Sequence, residues 1–346
     1  MMMGSFQRPA SSALRCFYRG LGLVLLMACC ASVQAQLAGL VHDETNGSLR
    51  VVSIDSATGN VAAGAGEVAD CCRLGGGLVA ADVAGERFFA IGVWSGGDNA
   101  DQIGLFELAF DGSAVASQFL GAVPTGALEW DSLNARLITV SVPDFTSGLQ
   151  LQSIDPTTGS IQNIGSATPD CCEILTGVST IDPAGQRLFF AGRANGEADW
   201  AVYGVDLGTG EVNNAELLPS GHPGFMAFNP SLGTVDVLMQ QTLSGGTQII
   251  AVDVDNGGAI ILAEHENSDC CHFELGQTPS LSEDGDSWWL SGRDSALQTS
   301  LVAMGSAGIN AVTTTRAITS GYLLRAVVVN GETLSLDQIF RDRFEL

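Results

Sequence analysis

The chain has 346 residues and a formal net charge of −24, with 38 acids set against 14 arginines and no lysine. Nucleic acid and anionic lipid both require cationic contacts, so a surface this negative excludes them as partners. The 43 glycines and the lack of a sustained helical period point to short strands and tight turns.

Residues 1–35 read as a secretory signal peptide. Arg8, Arg15 and Arg19 form the basic start, residues 21–31 the apolar core, and Val33-Gln34-Ala35 the small-residue cleavage pattern. That apolar run is too short to span a bilayer, and no other stretch could span one. Leu26-Met27-Ala28-Cys29 partly resembles a lipoprotein box, with bulky Met27 in it, so lipid anchoring at Cys29 is the alternative to simple secretion. The 35 residues carry three arginines and no acid, which leaves the remainder at −27.

Past the signal, three Asp-Cys-Cys triplets recur: Asp70-Cys71-Cys72, Asp170-Cys171-Cys172 and Asp269-Cys270-Cys271. Gly85, Gly185 and Gly285 recur with them, each a hundred residues apart, and likewise Gly92, Gly192 and Gly292. Between these glycines lie Arg87-Phe88-Phe89, Arg187-Leu188-Phe189 and Ser287-Trp288-Trp289. Each unit reads as an apolar strand, a glycine turn, an aromatic strand and a glycine stop. Strands over 137–142 and 149–154 follow, closed by the turn Asp155-Pro156-Thr157-Thr158-Gly159, which recurs at 55–59 and 206–210. About eight strands per unit predict an all-β fold, a six-bladed β-propeller built from three double-blade repeats. The third unit is incomplete, and its missing strands match residues 40–55, so strands from both termini are expected to close the ring and cover its edges. The domain reading is 1–35 signal peptide, 36–338 propeller and 339–346 tail.

The pattern Ile154-Asp155-x-x-Thr158-Gly159, with Asp182-Pro183-Ala184-Gly185-Gln186-Arg187-Leu188-Phe189, resembles the repeats of secreted bacterial β-propellers of the broad YVTN, NHL and quinoprotein-like group. The resemblance covers most of 38–329. It implies a propeller exported from a bacterial cell, secreted or periplasmic, and it implies no particular activity. The quinoprotein repeat's tryptophan is missing after the Thr-Gly turns, which counts against quinone binding. Ile339-Phe340-Arg341-Asp342-Arg343-Phe344-Glu345 is similar to the Ile-Phe-x-Asp-Gly-Phe-Glu tail of many exported bacterial proteins, with Arg343 in place of glycine, and is a candidate sorting motif.

Each triplet falls in the link from one blade's outer strand to the next blade's inner strand, so all three are expected around one mouth of the channel. Three chemistries suit the six sulfurs. Neighbours can close as vicinal disulfides Cys71–Cys72, Cys171–Cys172 and Cys270–Cys271, stiffening the loops while closing almost no chain. Sulfurs can pair between blades, for example Cys72 with Cys171, although alternate blades should exceed the roughly 7 Å Cα limit. Reduced thiolates can hold a soft metal such as Cu(I), which an oxidising compartment disfavours. Export and the complete pairing of six cysteines by adjacency favour the vicinal disulfides. Asp70, Asp170 and Asp269 are the tentative ligand-binding residues; an aspartate before a turn also commonly bonds its own backbone.

Other signals are slighter. His272 follows the third pair where Arg73 and Glu173 follow the others, so the units share no histidine ligand; His42, His222 and His265 are scattered. Asp253-Val254-Asp255-Asn256-Gly257 faintly resembles a calcium loop but aligns with the ordinary turn at Asp155, and the turn is expected. Trp288 and Trp289 are expected to pack between blades. The resulting expectation is a monomeric binding module taking a protein, glycan or small ligand at the channel mouth, with enzymatic activity left open. The alternatives are a cation-dependent, lactonase-like hydrolase or a copper-binding protein, and no cofactor is assigned.

Overall fold

The computed structural model describes residues 36–329 apart from 44–47, 56–57, 59, 69–70, 95, 97–100, 114, 122–125, 143–147, 169–170, 195, 242–245, 266–271, 274–278, 282–286, 294–298, 306–311 and 318–321. Every described element is a strand, joined to its neighbours in antiparallel meanders. Blade A holds β1 (Gln36–Asp43), β2 (Ser48–Asp55) and β3 (Val61–Val68). Blade B is β4 (Arg73–Asp82), β5 (Arg87–Val93), β6 (Ile103–Ala109) and β7 (Val115–Phe119). Blade C is β8 (Ala127–Asp131), β9 (Arg136–Ser141), β10 (Leu149–Ile154) and β11 (Ile161–Thr168). Blade D is β12 (Glu173–Asp182), β13 (Arg187–Arg193), β14 (Ala201–Asp206) and β15 (Val212–Leu217). Blade E is β16 (His222–Asn229), β17 (Thr234–Gln240), β18 (Thr247–Val252) and β19 (Ala259–His265).

A further sheet holds β20 (His272–Phe273), β21 (Ser280–Leu281), β22 (Ser287–Arg293), β23 (Thr299–Gly305) and β24 (Val312–Ala317). The last strand, β25 (Tyr322–Val329), returns to pair with β1 and completes blade A in the order β25-β1-β2-β3.

The expectation of six equivalent blades in three double-blade repeats is therefore corrected: the described strands form five four-stranded blades, not six. The remaining sheet is five-stranded, and its inner position is divided between β20 and β21, two short pieces that both pair with β22. The third unit also differs in sequence where this inner position ends. In blades B and D an aspartate at the end of the inner strand clamps the arginine that starts the second strand, Asp82 to Arg87 and Asp182 to Arg187. The third unit has Ser282 and Ser287 at those places, and two hydroxyls cannot form that ion pair.

Apolar clusters fill the spaces between successive blades. Leu40, Val51, Phe88 and Phe106 join A to B, and Phe89, Leu105, Leu128 and Leu137 join B to C. Val140, Leu151, Leu188 and Phe190 join C to D, and Phe189, Val202, Val237 and Ile250 join D to E. Each blade thus buries both faces, as radial packing of twisted sheets requires. Trp288 is buried against blade E, its ring near Phe225 and its Nε1 donating to Asp236, and Trp289 packs on the core of blade A, as expected of both.

The Thr-Gly turns between the third and fourth strands need their glycines. Gly159, Gly210 and Gly257 have φ of +69°, +76° and +78°, a region that L side chains enter at a cost. In each turn the aspartate's Oδ1 accepts backbone N–H bonds, as Asp155 does from Thr157 and Thr158 and Asp206 from Gly208 and Thr209. Asp253 does the same for Asp255 and Asn256, so its segment is the expected turn.

Candidate functional site

The inner strands β4, β8, β12 and β16 lie side by side and run in one direction. They enter from one face of the propeller, where the cysteine-bearing links arrive, and leave at the other. These are called here the sulfur face and the turn face.

On the sulfur face, Cys71 and Cys72 sit immediately before β4 with their sulfurs at bonding distance, and Cys171 and Cys172 sit likewise before β12. The sulfurs do not face an open mouth. Cys71 and Cys72 are buried in the A–B cluster beside Leu40, Val51 and Phe106, and Cys172 is buried in the C–D cluster beside Val140 and Phe190. Cys171 is half-buried. Asp70, Asp170, Asp269, Cys270 and Cys271 lie outside the described residues.

Both inner strands break register just past the cysteines. In β4, Leu74 faces Gly92 and Val79 faces Ala90, so residues 75–78 stand opposite Ile91 alone. In β12, Ile174 faces Gly192 and Ser179 faces Phe190, so residues 175–178 stand opposite Ala191 alone. Bulges of this kind re-aim a strand, and they are common at functional rims. Here they carry β4 and β12 toward each other across blade C, to Cα separations within 8 Å. Gly177 N–H donates to the Gly126 carbonyl at 2.7 Å, and a side chain on Gly126 would press on Ile174.

Midway along β8, Glu129 turns toward blade D and accepts a 2.6 Å hydrogen bond from the Ser179 hydroxyl. Burial pushes its carboxyl up to about 7, and the Ser179 bond only partly opposes that. Asp131, two residues on, behaves in the opposite way. Burial disfavours its charge too, but bonds from Asn134 and Arg136 outweigh burial and hold it below the usual carboxylate range. Asp236, in the E core, is raised by burial despite bonds from Thr234, Asn229 and Trp288.

The turn face is knitted by polar contacts. Asp82 accepts from Gly85 N–H and Arg87, Asp131 from Asn134 and Arg136, and Asp182 from Gly185 N–H and Arg187. Arg87 lies over the rings of Phe89 and Trp130, and Arg187 over Phe189. Contacts between blades continue the collar: Arg136 donates to the Leu207 carbonyl, Asn134 to Gln186, and Arg187 to Asp255. Glu86, Ala135 and Gln186 close these turns with positive φ. Among the described residues no group of three histidine, cysteine or acidic side chains is arranged to hold a metal ion.

Sequence reasoning missed Glu129 and the carboxylate clamps. Both had a signal. Counted back from the clamp aspartates, Glu129 aligns with Ala80 and Thr180, so it is an acid where other blades carry small residues. The clamps are written as Asp82…Arg87, Asp131…Arg136 and Asp182…Arg187.

No protein-family model and no curated protein matches the chain. Solved structures do. TolB from Acinetobacter baumannii aligns over 84% of this chain and 67% of its own, with a TM-score of 0.53 at 12% identity. The nidogen/laminin complex aligns over 85% and 97%, with a TM-score of 0.53 at 11% identity. The periplasmic gluconolactonase of Pseudomonas aeruginosa aligns over 82% and 83%, with a TM-score of 0.52 at 15% identity. The chain is thus a β-propeller by fold, and identities this low carry nothing further. No helix among the described residues is long and apolar enough to cross a membrane.

Proposed function

We propose that the chain is an exported binding propeller whose paired cysteines act as internal braces and not as a contact surface. The observation that carries this reading is the position of the described pairs. Cys71, Cys72 and Cys172 are sunk in the core between two blades, with Cys171 half-buried beside them, and each pair lies directly before an inner strand that bulges. A brace at that point fixes where the bulge sits, and rigid placement of loops is what a binding surface needs. Export is supported by the signal pattern of 1–35 and by cysteines that pair by adjacency. Cys270–Cys271 is proposed to pair in the same way. The apolar surroundings of Cys71 and Cys72 disfavour the thiolates that copper binding requires.

A second reading, a hydrolase of the lactonase kind, has one observation in its favour. Glu129, held near neutrality in an inner strand, has the poise of a general acid or base. The separating experiment takes residues 36–346, purified without chelator, through a panel of lactones and esters with and without calcium. In parallel, a random peptide-display library is selected against the same protein. Saturable binders with no turnover are expected. Turnover that Glu129→Gln abolishes would hand the assignment to the hydrolase.

A further inference from the structure

The turn face presents apolar groups at its centre. Of the seven large hydrophobic side chains that are exposed among the described residues, three are on first-to-second turns: Val83 at 53%, Leu133 at 68% and Leu232 at 62% exposure. These turns leave the inner strands β4, β8 and β16 at the same end, those of blades B and C side by side and that of blade E beyond the Pro183–Gln186 turn of blade D, so the three tips stand around the channel mouth opposite the sulfurs. Nothing in turn chemistry asks for Leu or Val at such tips, where Gly, Asn, Asp and Ser serve better.

Outside this arc lies a band of fixed negative charge. Third-to-fourth turns reach the same face, because Phe110 N–H bonds the Glu86 carbonyl, Leu207 N–H bonds that of Gln186, and Arg187 reaches Asp255. Each of those turns carries an aspartate, exposed at Asp111 and Asp155 and half-buried at Asp206 and Asp253, whose carboxyl is held below its ordinary value. Hydrogen bonds from Ser113 lower Asp111, those from Thr157 and Thr158 lower Asp155, those from Thr209 lower Asp206, and those from Asn256 lower Asp253. The arginines nearby do not cancel this charge. Arg87 is paired with Asp82 and Glu107, Arg136 with Asp131, and Arg187 with Asp182 and Asp255.

We infer that the turn face docks a cationic polypeptide segment of a partner protein, one that sets aliphatic or aromatic side chains on the Val83–Leu133–Leu232 arc and Lys or Arg against the aspartate band. The inference rests on the binding-propeller reading and names the face and the partner class. An apolar centre within a charged rim is the usual build of a protein interface, and here the rim has one sign. A chain this acidic attracts such a segment over distance and repels nucleic acid and anionic lipid.

The test uses the peptides selected above, synthesised with a fluorophore and titrated by anisotropy. Enriched sequences should combine Lys or Arg with Leu, Phe or Trp. Affinity should fall at least tenfold in Leu133→Asp and in Leu232→Asp, and should fall again as salt is raised from 50 to 300 mM. Both leucines are exposed, so these variants fold, and Phe119→Asp, on the outer strand of blade B, should bind as wild type. Binders that are acidic, or that lose affinity only when residues 175–178 are altered, overturn the turn-face assignment and leave the binding reading intact. If no binder emerges on either face and a substrate is turned over, the parent reading fails with it.

Discussion

At the turn face each of the inner strands β4, β8 and β12 ends in a carboxylate that gathers a backbone N–H and an arginine; at the sulfur face β4 and β12 begin behind sulfurs set in aliphatic core. The first arrangement is directional and leaves the turn tips free to carry unusual residues. The second is non-directional and works by filling space, so it can hold a bulge in place without dictating the bulge's own sequence. The same inner strands therefore combine a polar latch at one end with an apolar wedge at the other. Blade E shows that the latch is not the only way to end an inner strand: Asn229 and Thr234 stand in its place, and Asn229 accepts from the Ser231 and Leu232 N–H groups.

The largest effect should come from breaking a latch. Asp131 is fully buried and paired with Arg136, so Asp131→Ala strands a half-buried guanidinium and is expected to cost about 3 kcal/mol in urea unfolding. A loss well below 1 kcal/mol would mean that the turn chemistry, not the ion pair, ends the strand.

Glu129 provides the next contrast, because it sits two residues from Asp131 on the same strand and shifts the other way. A carboxyl raised to about 7 when folded favours the folded state while it is protonated. Its contribution is whole below the unfolded value near 4.5 and is lost as pH rises toward 7. Asp131 works oppositely, stabilising above its unfolded value and losing that contribution as pH falls. Glu129→Gln should therefore flatten the decline between pH 4.5 and 7. A decline of equal size in that variant would assign it to other groups.

Removing a wedge should cost less than removing a latch. Cys71→Ala with Cys72→Ala deletes two buried sulfurs but opens almost no loop, so about 1.5 kcal/mol is expected, chiefly from packing. The Cys171→Ala, Cys172→Ala pair should lose less, since Cys171 is already half-buried. Equal losses would break the link between burial and bracing. Smallest of all, Ala135→Gly relieves a φ of +50° and should raise stability by about 0.5 kcal/mol, visible as a small rise in Tm.

Much of this was legible in the residues. The glycine register, the Asp-x-x-Thr-Gly turns and the match of residues 40–55 to a blade's second and third strands give the meanders and the closure by β25. Equivalence of the third unit was not readable from its cysteines, because their spacing does not report that the inner position beside β22 is divided between β20 and β21. The depth of the sulfurs was hidden for a different reason. A link between blades is expected at the surface, and only the packed neighbours Leu40, Phe106, Val140 and Phe190 reveal that it dives inward. Glu129 could be found as an acid aligned with Ala80 and Thr180, but its raised carboxyl comes from burial against blade D, which that alignment does not encode.

Peptide mapping without reduction tests the brace most directly, on folded residues 36–346 exposed to a phosphine reductant and a thiol-alkylating reagent before digestion. The account expects Cys71–Cys72 to be recovered as one peptide, two mass units below its reduced form, unalkylated until denaturant unfolds the protein. Cys171–Cys172 should be joined in the same way and open earlier, through its less buried cysteine. Peptides cross-linked between blades, or a Cys71–Cys72 pair alkylated as fast in the folded as in the unfolded protein, would contradict the claim that these sulfurs are buried braces.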